Sequence, residues 1–398
     1  MTPRFKIGVL GLGKLGLPFS LVAARLNIVY GWDIDQAARD IINTRISDDS
    51  EPHIDGLLKD RVVVLAKPDI MARECDAVFI VVPTPSKHNG AFNPDYVRAA
   101  IESLHPGLAA RGSAGGPLHI IIVSTVSPGT CDEIVVPGNA VLVYAPTFIA
   151  LGSVVHDLEY PNLQLIGADG YPKLVQAIMG TIPMWKETEW RWLTHREAEI
   201  AKIAVNSFIT MKITFANEIG QICHRQGADA DKVLHTVGVD PRIGTKYLTA
   251  GAGFGGPCFP RDNRALEHET RDDSLMSHID RLNTHHAEFI VREAARAWAL
   301  VTDVNNPVKT FTVLGLAYKE GTPHKIESFG VLLTRLLQRR GFTEIHEGEG
   351  APSLVVLALP MEKSDFRKCF IEGTVVFDLW RAHRYLRHEP IHYVPFGG

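Results

Sequence analysis

A chain of 398 residues exceeds what one ordinary hydrophobic core organises, so its length implies two or three domains. The net charge of -4 comes from acids and bases mixed along the sequence, which excludes a basic stripe for nucleic acid and a polybasic membrane patch. No apolar run reaches bilayer-spanning length, and MTPRFKIGVLGLG enters a strand-like run without the features of a signal peptide.

From residue 5 to about 190, short β-branched runs alternate with helical stretches, the pattern of repeated βαβ units in a mostly parallel sheet. The predicted strands are FKIGVLG, IVYGWD, VVVLA, AVFIVVP, HIIIVST, VLVYAP and LQLIG. Residues 195–226 then read as one long helix. Ile200, Ile203, Ala204, Ser207, Met211, Phe215, Ile219 and Ile222 recur at steps of three or four and form an apolar stripe for another helix or subunit. Helical signal continues through DADKVLHTVG and again over 274–301. A second α/β section follows: KTFTVLGLA, the helix ESFGVLLTRLLQRRG, and strands SLVVLALP and TVVFDLW. The fold class is α/β, with a Rossmann-type doubly wound domain over 1–194, a central helical region over 195–300 and a shortened Rossmann-like domain over 301–398.

The five cysteines, Cys75, Cys131, Cys223, Cys258 and Cys369, stand far apart with no C-x-x-C pair. That pattern predicts reduced thiols in a cytoplasm, with neither a disulfide framework nor a metal site. Gly11, Gly13 and Gly16 have G-x-G-x-x-G spacing between a strand and a helix. Such glycines permit the tight turn and the approach of a pyrophosphate to the helix N-terminus. Asp33 ends the next strand, where an acid accepts from ribose hydroxyls and disfavours a 2′-phosphate, so the predicted cofactor is NAD. Lys202 and Asn206, at i and i+4, share one helix face, either solvated or lining a cleft. Thr125 ends the strand HIIIVST, either in a plain turn or where ligands collect outside a parallel sheet. GAGFGGPCFPRD places Cys258 and Asp262 after four glycines in six residues: a turn with a structural cysteine, or a loop moulded around something.

In this order the segments GLGKLGLP, VVPTP, STVSPGT, AKIAVNSF, DPRIGTKYLTAGAGFGGPCFPRD and LGLAYKEGTPHKIES resemble the nucleotide-sugar 6-dehydrogenases, the UDP-glucose/GDP-mannose dehydrogenase family, over nearly the whole chain. The resemblance implies two oxidations of the C6 alcohol of a nucleotide sugar, a UDP-hexose by default, with Cys258 as the nucleophile that carries a thiohemiacetal and then a thioester. Lys202 and Asn206 would stabilise the oxyanion, with Lys202 a proton acceptor, and Asp262 and Thr125 would hold water. It implies cofactor contacts at Gly11, Gly13, Leu15, Gly16, Asp33, Pro83, Thr84, Ser124 and Thr125. Substrate contacts fall on Thr147, Phe148, Lys202, Asn206, Arg242, Tyr247, Phe254, Gly255 and Lys319. Arg242 would reach a neighbouring subunit's sugar, so a homodimer at least is implied. Arg381 and Arg384 are candidates for the nucleotide side.

Three departures stand out. Thr147 occupies the family's usual glutamate position, and a hydroxyl cannot accept a proton near neutral pH. Ile326 falls where the family has an arginine, leaving Lys325 as a substitute. Between LQRRG and SLVVLALP the chain is short of a strand-helix unit. Two alternatives follow: a catalyst that stops after one oxidation or takes a non-standard sugar nucleotide, and a binder of NAD or sugar nucleotide without catalysis.

Overall fold

The computed structural model describes residues 4–44, 51, 54–58, 62–112, 116–184, 188–270, 273–302, 309–346, 349–360 and 371–398. Cys369 and parts of RGSAGGP and FTEIHEGEGAP lie outside them. The chain forms two compact units, Met1–Ile203 and Ala204–Gly398.

The first unit is built on eight strands: β1 (Lys6–Leu10), β2 (Ile28–Trp32), β3 (Val62–Val64), β4 (Ala77–Ile80), β5 (Leu118–Ile122), β6 (Ala140–Tyr144), β7 (Leu163–Gly167) and β8 (Glu189–Leu193). Their order is β3-β2-β1-β4-β5-β6-β7-β8, parallel throughout except where Tyr144 of β6 meets Gly167 of β7. Strand order reverses between β1 and β4, whose register pairs Ile7 with Ala77. That is the switch point at which doubly wound sheets bind nucleotides. Alternation splits β1 between the two faces: Ile7 and Val9 join one core and Leu10 the other. The helix Gly16–Ala23 is buried along its whole length and is apolar except for Ser20, whose hydroxyl donates to Leu17 O at 2.7 Å. Strand β8, EWRWL, was not among the predicted strands, because its alternation of charge and tryptophan marks a sheet edge rather than a buried strand.

The second unit holds a parallel sheet of β9 (Thr310–Leu314), β10 (Thr343–Glu344), β11 (Leu354–Leu357), β12 (Val375–Asp378) and β13 (His392–Pro395), in the order β10-β9-β11-β12-β13. Between the helix Phe329–Arg339 and β11 the described chain carries only the two-residue β10. The long helix is His195–Gln226, as its spacing predicts, but the predicted stripe divides. Ile203 and Ser207 are buried, whereas Phe215 and Ile222 are each 48% exposed and join Val205 and Phe208 on an outer face. Three more helices, Ala230–Val239, Phe259–Glu269 and Leu275–Val301, complete the unit.

Arg381, a candidate for the nucleotide side, is instead structural, and Arg384, the other candidate, is tied to the same acidic pair. Arg381 is 3% exposed and commits all five guanidinium N–H groups. Nε and Nη2 donate to the Asp231 carboxylate at 3.0 and 2.7 Å. Nη1 donates to Leu379 O and Phe396 O, and Nη2 also to Ala250 O. Arg384 bonds Asp229 and Asp231 at 3.0 and 2.9 Å, holding the Asp229 carboxyl below its usual range. Asp229 is itself the cap of Ala230–Val239, accepting from Asp231 N and Lys232 N. The Arg381 guanidinium, with all five N–H groups engaged, has nothing left for a phosphate.

Replacing Arg381 by Met should cost about 3 kcal/mol, because three carbonyls and a carboxylate lose their donor together. Urea unfolding followed by circular dichroism measures it; a loss below about 1 kcal/mol would show that the knot contributes little.

Candidate functional site

In the first unit the glycine fingerprint works by close approach. Gly11 has φ +95°, and a Cβ there would lie 2.2 Å from Val81 O; one on Gly16 would lie 1.9 Å from Gly11 O. Gly13, by contrast, faces open space, so the turn leaves room above it for a ligand. Asp33 closes the other side. Its Oδ2 accepts from Leu12 N at 2.6 Å and its Oδ1 from Asp35 N at 2.9 Å, which aims the carboxylate while leaving lone pairs for ribose hydroxyls. Leu15 precedes the helix Gly16–Ala23 without a side-chain cap. These residues fit a dinucleotide: Gly11, Gly13 and Gly16 would admit its pyrophosphate and Asp33 would hold its ribose.

The ends of β4 and β5 are laced together by two residues expected at the cofactor. Thr84 Oγ1 donates to Thr125 O at 2.7 Å, and Ser124 Oγ accepts from Val82 N at 2.9 Å and donates to Val82 O at 2.7 Å. Pro83 lies between Val82 and Thr84 in sequence, and Thr125 is half-buried. Two acids that the motifs did not single out secure the neighbouring loops. Glu199, fully buried on the long helix, accepts from Gly129 N at 2.5 Å and Cys131 N at 2.8 Å. Burial pushes its carboxyl up from the ordinary value, against the pull of those bonds. Glu51 accepts from Gly152 N at 2.7 Å and Val154 N at 2.6 Å. The spacing Glu199, Lys202, Asn206 on one helix face could have pointed to the first; the partners of Glu51 lie about a hundred residues away and no pattern announces them.

Lys202 is 6% exposed, and its Nζ donates to Thr147 O at 2.9 Å while sitting 4.4 Å from the centroid of the Phe148 ring. The structure thus brings Lys202, Thr147 and Phe148 together, and Thr147 does so through its backbone.

In the second unit Asn206, Cys258 and Asp262 are grouped. Asn206 Nδ2 donates to Asp262 Oδ2 at 2.6 Å, and Asp262 N donates to Cys258 O at 2.9 Å in the first turn of Phe259–Glu269. Asp262 is 4% exposed; Cys258 stands exposed at the N-cap of that helix, whose positive end favours nearby negative charge. The other described cysteines are buried, and burial pushes the thiols of Cys75 (to about 12), Cys131 and Cys223 up. Cys258 is the exposed thiol among the described cysteines.

The glycines before Cys258 are closed by the protein itself. A Cβ on Gly251 would meet Trp380 at 2.7 Å, on Gly253 Asn283 Oδ1 at 2.1 Å, on Gly255 Glu327 O at 2.3 Å and on Gly256 Tyr318 at 2.5 Å. Ile326, at the expected arginine position, gives its carbonyl to Gly256 N at 3.1 Å. Lys319 lies half-buried in the turn where Tyr318 N bonds His324 O. Phe254 is buried, and Tyr247, at φ +61°, stands edge-on to Phe259. Arg242 is exposed and forms a local fork with Asp240, Nη2 to Oδ2 being 2.6 Å. Among the described residues no group of three or more metal-ligating side chains is found, and no helix is long and apolar enough to cross a membrane.

Residues 5–180 match the model for the UDP-glucose/GDP-mannose dehydrogenase family, NAD binding domain, and residues 196–285 match that family's central domain. The UDP-glucose 6-dehydrogenase of Rickettsia bellii is 32% identical over 336 residues, covering 79% of this chain and 74% of that one. The chain belongs to the UDP-glucose/GDP-mannose dehydrogenase family. It is an NAD-dependent oxidoreductase of the nucleotide-sugar dehydrogenase kind. A Rhizobium meliloti UDP-glucose 6-dehydrogenase is 31% identical over 279 residues, a match spanning 67% of this chain and 62% of that enzyme. Among solved structures, a UDP-glucose dehydrogenase from Pyrobaculum islandicum aligns at a TM-score of 0.80 and 26% identity, over 99% of this chain and 98% of that one. The UDP-D-ManNAc dehydrogenase of Pyrococcus horikoshii shares the fold at a TM-score of 0.81 and 22% identity, over 98% and 99%.

Asp33→Ala should raise the NAD dissociation constant about 10-fold or more, the worth of charge-assisted hydrogen bonds to ribose. Calorimetric titration measures it, and an unchanged affinity would remove Asp33 from the cofactor site.

Proposed function

We propose that this protein oxidises the C6 alcohol of a nucleotide sugar, a UDP-hexose by default, to the uronic acid through a thioester on Cys258. The carrying observation is the grouping of an exposed thiol at a helix N-terminus with the Asn206–Asp262 pair. NAD, when bound, accepts one hydride in each of two oxidations.

In the first oxidation Lys202, as the neutral amine, takes the hydroxyl proton as C6 becomes an aldehyde, and the ammonium so formed, with Asn206, stabilises negative charge on the oxygen. The Cys258 thiolate then adds to C6, giving a thiohemiacetal as its oxyanion, which Lys202 and Asn206 hold. Loss of a second hydride leaves the thioester. Asp262 takes a proton from a water that it and Thr125 hold as the water adds to the thioester carbon, the C–S bond breaks to restore the thiolate, and the acid formed loses its own proton to solvent and leaves as the carboxylate. Arg242, Tyr247, Phe254, Gly255 and Lys319 are read as holding the sugar nucleotide, Thr147 and Phe148 as fixing Lys202 beside it. A second reading, arrest after one oxidation or at the thioester, is favoured by Thr147, whose hydroxyl supplies no base for the hydrolytic step.

We also propose that residues 195–300 form a homodimer region. The support is an outer face of the long helix on which Val205, Phe208, Phe215 and Ile222 are 37%, 57%, 48% and 48% exposed at steps of three and seven. A reduced, cytoplasmic setting suits the catalytic thiol.

With excess NAD and a panel of UDP-, GDP- and TDP-sugars, the expected yield is two NADH per sugar consumed. One per sugar, or a burst equal to the enzyme concentration, would establish the second reading. Cys258→Ser should form no acid while binding NAD as before; a normal carboxylate yield from it would refute the covalent route.

A further inference from the structure

Residues 251–254 belong to no strand, yet Gly251, Ala252 and Phe254 are at most 9% exposed. Buried peptide groups without partners would each cost about 1–3 kcal/mol. The partners are side chains. Asn217 on the long helix accepts from Gly251 N through Oδ1 at 2.8 Å and donates through Nδ2 to Ala252 O at 3.2 Å. Asn283 on the helix Leu275–Val301 treats Phe254 the same way, accepting from its N–H at 3.0 Å and donating to its carbonyl at 3.0 Å.

His286, on the same helix three residues on, completes the set. It is 2% exposed, with Nε2 2.8 Å from Gly251 O and Nδ1 3.2 Å from Gln221 Nε2, and its ring is stacked on Phe329 at 5.5 Å. Burial pushes the imidazole down to about 4, so it is neutral at physiological pH. A carbonyl can only accept and an amide NH2 only donate, which assigns the ring proton to Nε2 and the lone pair to Nδ1. Gly253 is glycine for the same reason: any Cβ there would collide with the Asn283 amide at 2.1 Å.

We infer that Asn217, Asn283 and His286 are positioning residues that act as a side-chain substitute for a neighbouring strand, holding the loop that leads to Cys258 in its working form before any substrate arrives. None of the three is assigned a contact with substrate or the reacting atoms. Their work is preorganisation: the ordering cost of Phe254, Gly255 and the thiol is met in folding rather than taken from binding. The catalytic consequence rests on the nucleotide-sugar reading above.

The first test uses the unaltered protein without ligands. Residue-resolved amide hydrogen exchange should show Gly251 and Phe254 protected about 100-fold or more over unstructured rates; unprotected amides overturn the inference, whatever the protein oxidises. The second compares two substitutions with opposite chemistry. His286→Gln keeps one donor and one acceptor and gives up the ring, whereas His286→Phe keeps the ring and gives up both bonds. The Phe variant should raise KM for the sugar nucleotide about 10-fold or more and lower kcat, with NAD affinity within about twofold of the original; the Gln variant should stay within about threefold on every constant. Equal losses in both, no change in either, or the reverse order would each overturn it. If neither variant folds, the exchange measurement decides. If no sugar nucleotide is oxidised, the functional reading fails, and the exchange result still judges the clamp.

Discussion

Both functional loops of this protein depend on one steric condition: two backbones must touch where a Cβ would otherwise stand. At Gly16 the hypothetical Cβ sits 1.9 Å from Gly11 O, at Gly11 2.2 Å from Val81 O, and at Gly255 2.3 Å from Glu327 O. No side chain can yield at such distances, because the opposing atom is itself main chain. The fingerprint turn can tighten over the switch point, and the cysteine loop can seat against residues 318–329, only while those positions remain glycine. Conformational freedom matters at Gly11 and Gly256, which have φ of +95° and +86°; at Gly16, Gly251, Gly253 and Gly255 what counts is the missing atom.

Loops drawn in so closely bring their peptide groups out of water, and the protein answers with polar side chains aimed at backbone. Glu199 and Glu51 each take two N–H groups, Asp378 takes those of Trp380, Arg381 and His383, and two asparagines and a histidine serve the cysteine loop. Carboxylates suit stretches where only donors need partners; amides and a neutral imidazole suit a stretch exposing donors and acceptors alike. Buried polar residues are thus distributed according to what the nearby main chain lacks.

This division explains what the sequence could disclose. Periodicity is a local signal, so the parallel strands and the helix His195–Gln226 are readable, as are Gly11, Asp33, Lys202 and Asn206, whose spacing carries their meaning. The helix Phe259–Glu269 escaped because Pro260 and the preceding glycines read as loop, and β13 because HYVP is short and ends in proline. Arg381 was misassigned for a different reason. Its fate is set by Asp231, which lies 150 residues earlier, and by carbonyls that no residue type reveals. The same holds for Glu51 and His286: a clamp between a side chain and distant main chain leaves no periodic trace. Glycine-rich GAGFGG did announce that something approaches the loop, but a large part of that something is the chain's own Trp380, Asn283, Glu327 and Tyr318.

Lys202 is held by the carbonyl of Thr147 and by the face of Phe148, and neither grip uses the side chain of residue 147. Every amino acid brings the same carbonyl. The bond from the lysine to residue 147 is therefore indifferent to the side chain carried there, so an acid or a hydroxyl at this position leaves that bond in place. The anchor and the variable group share one residue, yet selection can act on them separately, which makes this a point where one scaffold can diversify its chemistry without first losing its geometry.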